Sequence, residues 1–366
     1  QPNPRGLGAM LLDAAVVLVL WATALGGPPW AWPAAALLAG LVLLTHKMTT
    51  QLLWFLGLAA SLVALDWRFA ALLSGSALVA LALSRGFYAK VALAHWDIVS
   101  FWHRNWRWLQ AHQLLESPVY GRPGYETPSK MHSPGLAGAV RHVRYLAAYL
   151  PAGWALAALL LAGQLTARDG ATPALVAWAA LALAFALATT FVPALKCLGS
   201  GYYYLYNAAF PVALLWGLAA GGASSGWAAW SGLALGLGTS LVAVAAFYRK
   251  LGREKIGDSS LDDALAYLQA RPRGVVFCLP LQLSDLVAYV TGQPVLTGGH
   301  GYGFRRFEPI FPRLLLPLPE VVRRYEVRYV LAREDYLPPS ARAELPSTPA
   351  LACGPYLVFQ FADQEQ

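Results

Sequence analysis

Charge is the scarcest commodity in this chain. Of 366 residues only 13% are charged, against 57% hydrophobic, and the mean hydropathy is +0.48. A soluble domain carries roughly a quarter of its residues charged, so an ordinary water-soluble protein is excluded for much of the length. Acid is scarcer than base, with 19 Asp and Glu against 27 Lys and Arg. Within the apolar stretches Asp13 is the single acid, and there is no Asp-x-Asp pair. A proton-coupled transporter usually needs more intramembrane carboxylates, which counts against that class. The three cysteines, Cys197, Cys278 and Cys353, have neither metal-ligand spacing nor a disulfide framework. Free thiols are expected, with Cys278 and Cys353 in or beside predicted strands and possible neighbours. Thr297–Gly303 is glycine-rich but ends a strand without opening a clear helix, which argues against a nucleotide cradle. No cleavable signal peptide is evident, and the first residue is Gln1 rather than Met. A segment upstream of Gln1 is expected.

What is present is length in apolar runs. Spanning a bilayer takes about 20 mainly apolar residues, and about eight stretches approach that: 10–26, 31–45, 50–65, 69–84, 143–165, 174–193, 207–222 and 226–247. Ala, Gly, Leu and Trp dominate them, as suits close helix packing in lipid. The expected fold is mainly α. Residues 1–253 form a polytopic transmembrane helical bundle, and residues 254–366 a small soluble α/β domain. Between the fourth and fifth stretches, 85–115 mixes rings and cations at helical spacing, the composition of an amphipathic helix lying in the interface. Prolines and glycines then make 117–135 an irregular loop. In the tail, a helix is expected with Ser259 or Ser260 as its cap. Strands are expected at 275–279, 294–297, 328–332 and 356–361, with helices near 283–291 and 318–325.

The charge is partitioned. Residues 1–253 hold 16 Lys and Arg against 6 acids, whereas 254–366 hold 11 against 13. The basic excess therefore belongs to the membrane half and points to headgroups or phosphates, with no nucleic acid as partner. The basic loops follow the even-numbered stretches, on the side that also carries the tail. Positive-inside counting makes that side cytoplasmic, while a phosphate-binding face outside would be just as basic.

Three segments carry candidate chemistry. Thr45-His46-Lys47-Met48-Thr49-Thr50-Gln51 sits between two stretches, and His46 beside Lys47 suits a phosphate group. A loop touching headgroups explains it equally. Lys196-Cys-Leu-Gly-Ser-Gly is followed by Tyr202, Tyr203, Tyr204 and Tyr206, with Pro211 beyond. Cation and rings could wall a sugar and its lipid phosphate, or form an interfacial tyrosine belt. In 85–115, His95, Asp97, His103, Arg104 and Arg107 are explained by a membrane-lying helix, since residues two apart do not share a helical face. In the tail, His300, Tyr302, Arg305 and Arg306 form a polar loop that could cover a substrate mouth or simply be solvated.

The order of these features resembles the GT-C class of membrane glycosyltransferases. His46-Lys47 is similar to the opening of their His-Lys-Glu-x-Arg-Phe loop, although Met48 and Thr50 stand at the Glu and Arg positions. Lys196 through Pro211 resembles a Gly-x-Gly-x-Arg-Tyr-Leu-x-Tyr…Pro stretch of bacterial relatives. Leu279-Pro280, Ala288-Tyr289, Thr291-Gly292, Gly299-His300-Gly301 and Tyr329-Val330-Leu331 resemble the tail of such proteins. The resemblance implies transfer of a sugar from a polyprenyl-phosphate donor to a lipid, glycan or protein acceptor. It implies a substrate site built from His46, Lys47, Lys196, Tyr202, Tyr204, Tyr206, His300 and Arg305, with membrane lipid around it. The family's catalytic acid lies in the first external loop, which here falls upstream of residue 1. No resident cofactor is implied, though a divalent metal is compatible. The soluble domain is expected on the extracytoplasmic face of the cell membrane. Two rival classes stay open: a transporter or flippase of lipid-linked or anionic substrates, and a non-catalytic membrane subunit whose soluble domain binds a partner. Sugar, acceptor and oligomeric state are not encoded legibly.

Overall fold

The computed structural model describes residues 4–106, 135–161, 171–221, 226–251, 258–298 and 304–361. The irregular loop 117–135 falls almost wholly outside these, as do Arg107, His300 and Tyr302. The chain divides into two compact units, one of Gln1–Val99 with Ala139–Arg249, the other of Ser100–Gly138 with Lys250–Gln366. The second takes in the end of a helix that begins in the first.

The first unit is helical. Its helices are α1 (Pro4–Ala24), α2 (Ala31–Leu43), α3 (Lys47–Ala64), α4 (Trp67–Leu83), the start of α5 (Phe87–Asn105), α6 (Gly135–Tyr149), α7 (Pro151–Leu161), α8 (Ala171–Phe191), α9 (Ala209–Gly221) and α10 (Gly226–Leu251). Between α8 and α9, two 3₁₀ turns run over Pro193–Leu198 and Gly201–Ala208. On α1 the buried positions Gly8, Leu12, Ala15 and Val19 recur at helical spacing and form one packed stripe. Large apolar side chains elsewhere, such as Leu62, Leu65, Trp67 and Leu241, are left exposed. That pattern suits lipid contact better than water.

The expectation of eight spans is corrected. Among the described residues, three helices are long and apolar enough to cross a membrane, Pro4–Ala24, Lys47–Ala64 and Ala171–Phe191. Trp67–Leu83 with Phe87–Asn105 makes a fourth if that pair, bent by 120°, counts as one span. For α2 the reason is length. The 13 residues of α2 rise only about 20 Å at 1.5 Å each, short of a roughly 30 Å hydrocarbon core. Hydropathy registers apolar residues but not the breaks that shorten the helices carrying them.

The second unit holds a four-stranded sheet of order β1-β2-β4-β3, from β1 (Val275–Leu279), β2 (Val327–Arg333), β3 (Leu351–Cys353) and β4 (Tyr356–Gln360). β1 and β2 are parallel, β4 antiparallel to both β2 and β3. The expected strand at 294–297 is a single parallel bridge from Val295 to Val276. Side chains alternate between faces. Phe277, Leu279, Val330, Ala332 and Phe359 face one core, Val276, Cys278, Tyr329, Leu331 and Val358 the other. The helices α11 (Ser259–Gln269) and α12 (Ser284–Thr291) cover the second face, and α14 (Leu318–Arg324) the first. The α11 cap is Asp258, whose carboxylate accepts from Ser260 N–H at 3.2 Å, rather than a serine. Cys278 and Cys353 are free, and with β2 and β4 between their strands they are not neighbours.

The last residues of α5 are part of this second core. Phe101 is fully buried and stacks on Phe311 at 5.9 Å, with Trp102 edge-on to the same ring. Arg104 pairs with Glu308 at 2.8 Å, and Asn105 donates to the same carboxylate at 2.9 Å. A helix expected to lie on the interface throughout 85–115 is thus, at its end, a core element of a folded α/β unit.

Candidate functional site

The cluster begins at the start of α3. His46 takes an extended conformation as N-cap, and its side chain accepts from Thr49 N–H at 3.4 Å. Thr49 Oγ1 lies 3.1 Å from His46 Nδ1 and 3.1 Å from the hydroxyl of Tyr206. Because Nδ1 already accepts from a backbone N–H, it carries no proton. Thr49 therefore donates to it and receives from Tyr206, and the ring proton sits on Nε2. Burial, helped by the charges of Arg5 and Lys47, holds His46 down to about 4. The imidazole is neutral at pH 7. It supplies a donor rather than a charge.

Charge comes from Arg5 and Lys47. The guanidinium of Arg5 lies 5.0 Å from the Tyr203 ring centre and 5.8 Å from that of Tyr206, two cation–π approaches. Lys47 opens α3 and is exposed. At a helix start the first N–H groups lack intrahelical acceptors and the macrodipole is positive. α1 comes this close because of Gly8. A Cβ there would lie 3.2 Å from each of His46 Cβ, Thr45 Oγ1 and Thr49 Oγ1.

A second chain of hydrogen bonds ties the tyrosine turn to α3 and α5. Tyr204 is fully buried, donates to the Leu198 carbonyl at 2.6 Å and touches the Gln51 amide. Gln51 in turn meets His95 Nε2 at 3.0 Å. Tyr204 has one proton and two neighbours, so the arrangement that satisfies all four groups turns the Gln51 NH₂ toward Tyr204 and its oxygen toward His95. The turn itself exists because of Gly201, where any side chain would overlap the Ala186 carbonyl and Thr190. Tyr202 joins through Tyr203 at 4.4 Å and packs on Tyr149 at 4.7 Å and Tyr145 at 5.7 Å. Burial pushes the phenols of Tyr202, Tyr204 and Tyr206 up, so they stay neutral donors.

His46, Lys47, Tyr204 and Tyr206 are thus brought together, with Tyr202 beside them. Lys196 stands half-buried in the turn that Tyr204 anchors. Arg305 is exposed on α13 (Phe304–Phe307) in the other unit. Sequence reasoning did not place Arg5, Thr49, Gln51 or His95 in this cluster. His95 read as part of an interfacial face, Thr49 and Gln51 lay in the Thr45–Gln51 segment without a role of their own, and Arg5 carries no motif. Among the described residues no three His, Cys, Asp or Glu side chains gather as a metal ligand set. Cation, helix start, neutral donors and aromatic faces together suit a phosphate carrying something flat and hydroxylated. In comparisons with known proteins, no family model, no curated protein and no solved structure matched the chain.

Proposed function

We propose that the chain is a multi-pass membrane glycosyltransferase that moves a sugar from a polyprenyl-phosphate donor to a lipid, glycan or protein acceptor. The observation that carries this reading is the convergence of two polar segments on one cluster, with Tyr206 bonded to Thr49 across 157 positions. Arg5, Lys47 and the start of α3 stabilise the phosphate as it leaves. His46 adds its Nε2–H donor, and the tyrosine rings stack on the sugar. In the transfer an acceptor oxygen bonds to the anomeric carbon while the carbon–phosphate oxygen bond breaks, its electron pair staying on the phosphate. The acceptor's proton goes to a base. The resemblance of His46-Lys47 and of the tyrosine segment to GT-C motifs supports the same reading, and with it an external catalytic face.

The full chain in nanodiscs, supplied with a radiolabelled polyprenyl-phosphate hexose, tests this. Arg5→Ala and Lys47→Ala should each weaken donor binding about tenfold or more, the size of one charge-assisted hydrogen bond, with the melting temperature held. Donor binding without transfer to any acceptor, joined to donor movement between leaflets, would favour the flippase class instead. No donor binding at all would leave a non-catalytic subunit.

A further inference from the structure

Among the described residues Asp13 is the single acid within the three helices long and apolar enough to cross a membrane, and none of the cluster's hydrogen bonds given above involves it. Asp13 lies two turns along α1 from Arg5, on the wall of a cavity of about 670 Å³ whose lining includes Gly6, Met10, Asp13, Val17, Leu38 and Phe210. These come from α1, α2 and α9, and the α1 members recur at helical spacing, so they form one continuous face. That face differs from the Gly8–Leu12–Ala15 stripe packed inward. Apart from Asp13 the six are apolar or glycine, as a lipid chain requires. Asp13 Oδ1 is buried with no hydrogen-bond partner. A buried acceptor left bare costs about 1–3 kcal/mol, more when charged, so an occupant that donates to it would recover that loss.

We infer that this groove is a binding site for the hydroxyl-bearing head of a membrane amphiphile, with its chain along α1 and its hydroxyl donating to Asp13. The groove and the cluster share α1, with Asp13 about two turns from Arg5. The Arg5 guanidinium, one residue from Gly6, approaches the Tyr206 ring at 5.8 Å. The Asp13 carboxylate acts on the same phenol, adding to the upward push of burial against Thr49 and Arg5. A head at Asp13 therefore lies on the same helix as Arg5 of the proposed phosphate site, about two turns away. Resting on the transfer reading above, the hydroxyl is the acceptor. Its oxygen bonds to the anomeric carbon, the phosphate leaves with the electron pair, and the proton passes to Asp13. The acid expected upstream of residue 1 would then lie within α1.

The test uses the full chain in nanodiscs with two probes, a hexadecanol bearing a chain diazirine and its methyl ether. After illumination, adducts on α1 and α9 peptides are counted by mass spectrometry. The alcohol should label these peptides about tenfold more than the ether, the size of one buried hydrogen bond. That preference should vanish in Asp13→Leu and persist in Asp13→Asn, whose amide oxygen still accepts. Equal labelling by the two probes, or a preference unchanged in Asp13→Leu, overturns the site. Turnover with the polyprenyl-phosphate hexose separates the two readings. A wild-type chain that keeps the alcohol preference but transfers no sugar retires the transfer reading and leaves the groove standing. Transfer undiminished in Asp13→Asn overturns the role of Asp13 as base.

Discussion

The hydroxyl of Tyr206 lies 3.1 Å from that of Thr49, which itself lies 3.1 Å from His46 Nδ1. Three polar side chains from two distant segments thus share one directed chain of protons. Its sense depends on a neutral His46, and that makes the chain sensitive to acid. With the folded value of His46 held down near 4 and the unfolded one near 6.5, the unfolded chain binds more protons between those limits. Stability from this group is therefore complete above about 6.5 and is lost as pH falls toward 4. Melting temperatures of wild type and His46→Asn should diverge at neutral pH and converge near pH 4. A difference that is constant over that interval rejects the neutral assignment.

Tyr204 is the least dispensable hydroxyl of the site. Tyr204→Phe leaves the ring packed on Phe185, 4.7 Å away, but strips a partner from both the Leu198 carbonyl and Gln51. Each buried group left bare costs about 1–3 kcal/mol. The variant should melt several degrees lower and bind donor more weakly. Tyr203→Phe keeps the ring that faces Arg5 and loses one hydrogen bond, to Tyr202, so it should cost less, about 1 kcal/mol.

Glycine governs how near the turn comes to α8. At Gly201 a methyl would collide with backbone, whereas at Gly217 nothing lies within 4 Å of the same methyl. Gly201→Ala should cost about 1–3 kcal/mol or more through forced backbone movement. Gly217→Ala should be neutral or slightly stabilising, since alanine favours the helix by up to about 1 kcal/mol. Equal effects at the two positions would remove the close approach as the reason for Gly201.

These contacts also mark what a sequence can and cannot tell. The His46-Lys47 pair and the tyrosine run were conspicuous because each concentrates polarity between apolar stretches. The sheet was legible because β1, β2 and β4 are bounded apolar runs. Arg5 was not legible as a site residue, and Thr49 and Gln51 were read only as members of the Thr45–Gln51 segment. Their partners lie 157 positions away for Thr49 and 153 for Gln51; that both segments follow even-numbered stretches and so open on one face suggested a shared cavity, but not these pairs. Phe101 was misread for the opposite reason. Its helix has a strong apolar face, and composition alone does not say whether that face meets lipid or the Phe311 ring 5.9 Å away.

Phe101 accordingly offers a prediction about the second unit. Removing a fully buried aromatic ring costs about 3–5 kcal/mol, so Phe101→Ala should strongly destabilise the α/β unit. Arg104→Ala breaks the 2.8 Å pair with Glu308, whose partners are both partly exposed, and an exposed pair of this kind is worth about 1 kcal/mol or less. Hydrogen exchange at β1 and β2 measures both. Unchanged protection in Phe101→Ala would exclude α5 from that core.

Sidedness is decided by two opposed physical arguments and one label. Counted over the eight expected stretches, the positive-inside rule places the basic loops and the α/β unit in the cytoplasm. The proposed reaction places them outside, and a phosphate site accounts for the basic excess without reference to topology. Ser340 is exposed on the short helix α15 (Pro339–Ala343), so Ser340→Cys presents a thiol to solvent. Cys197 and Cys278 are buried, while Cys353 is partly open, and Cys353→Ser removes that background. The double variant should react with a membrane-impermeant maleimide on intact cells, and the Cys353→Ser single variant should not. Labelling only after lysis would place the α/β unit inside. The external catalytic face would then fall, because that unit was expected to share its side with the basic loops.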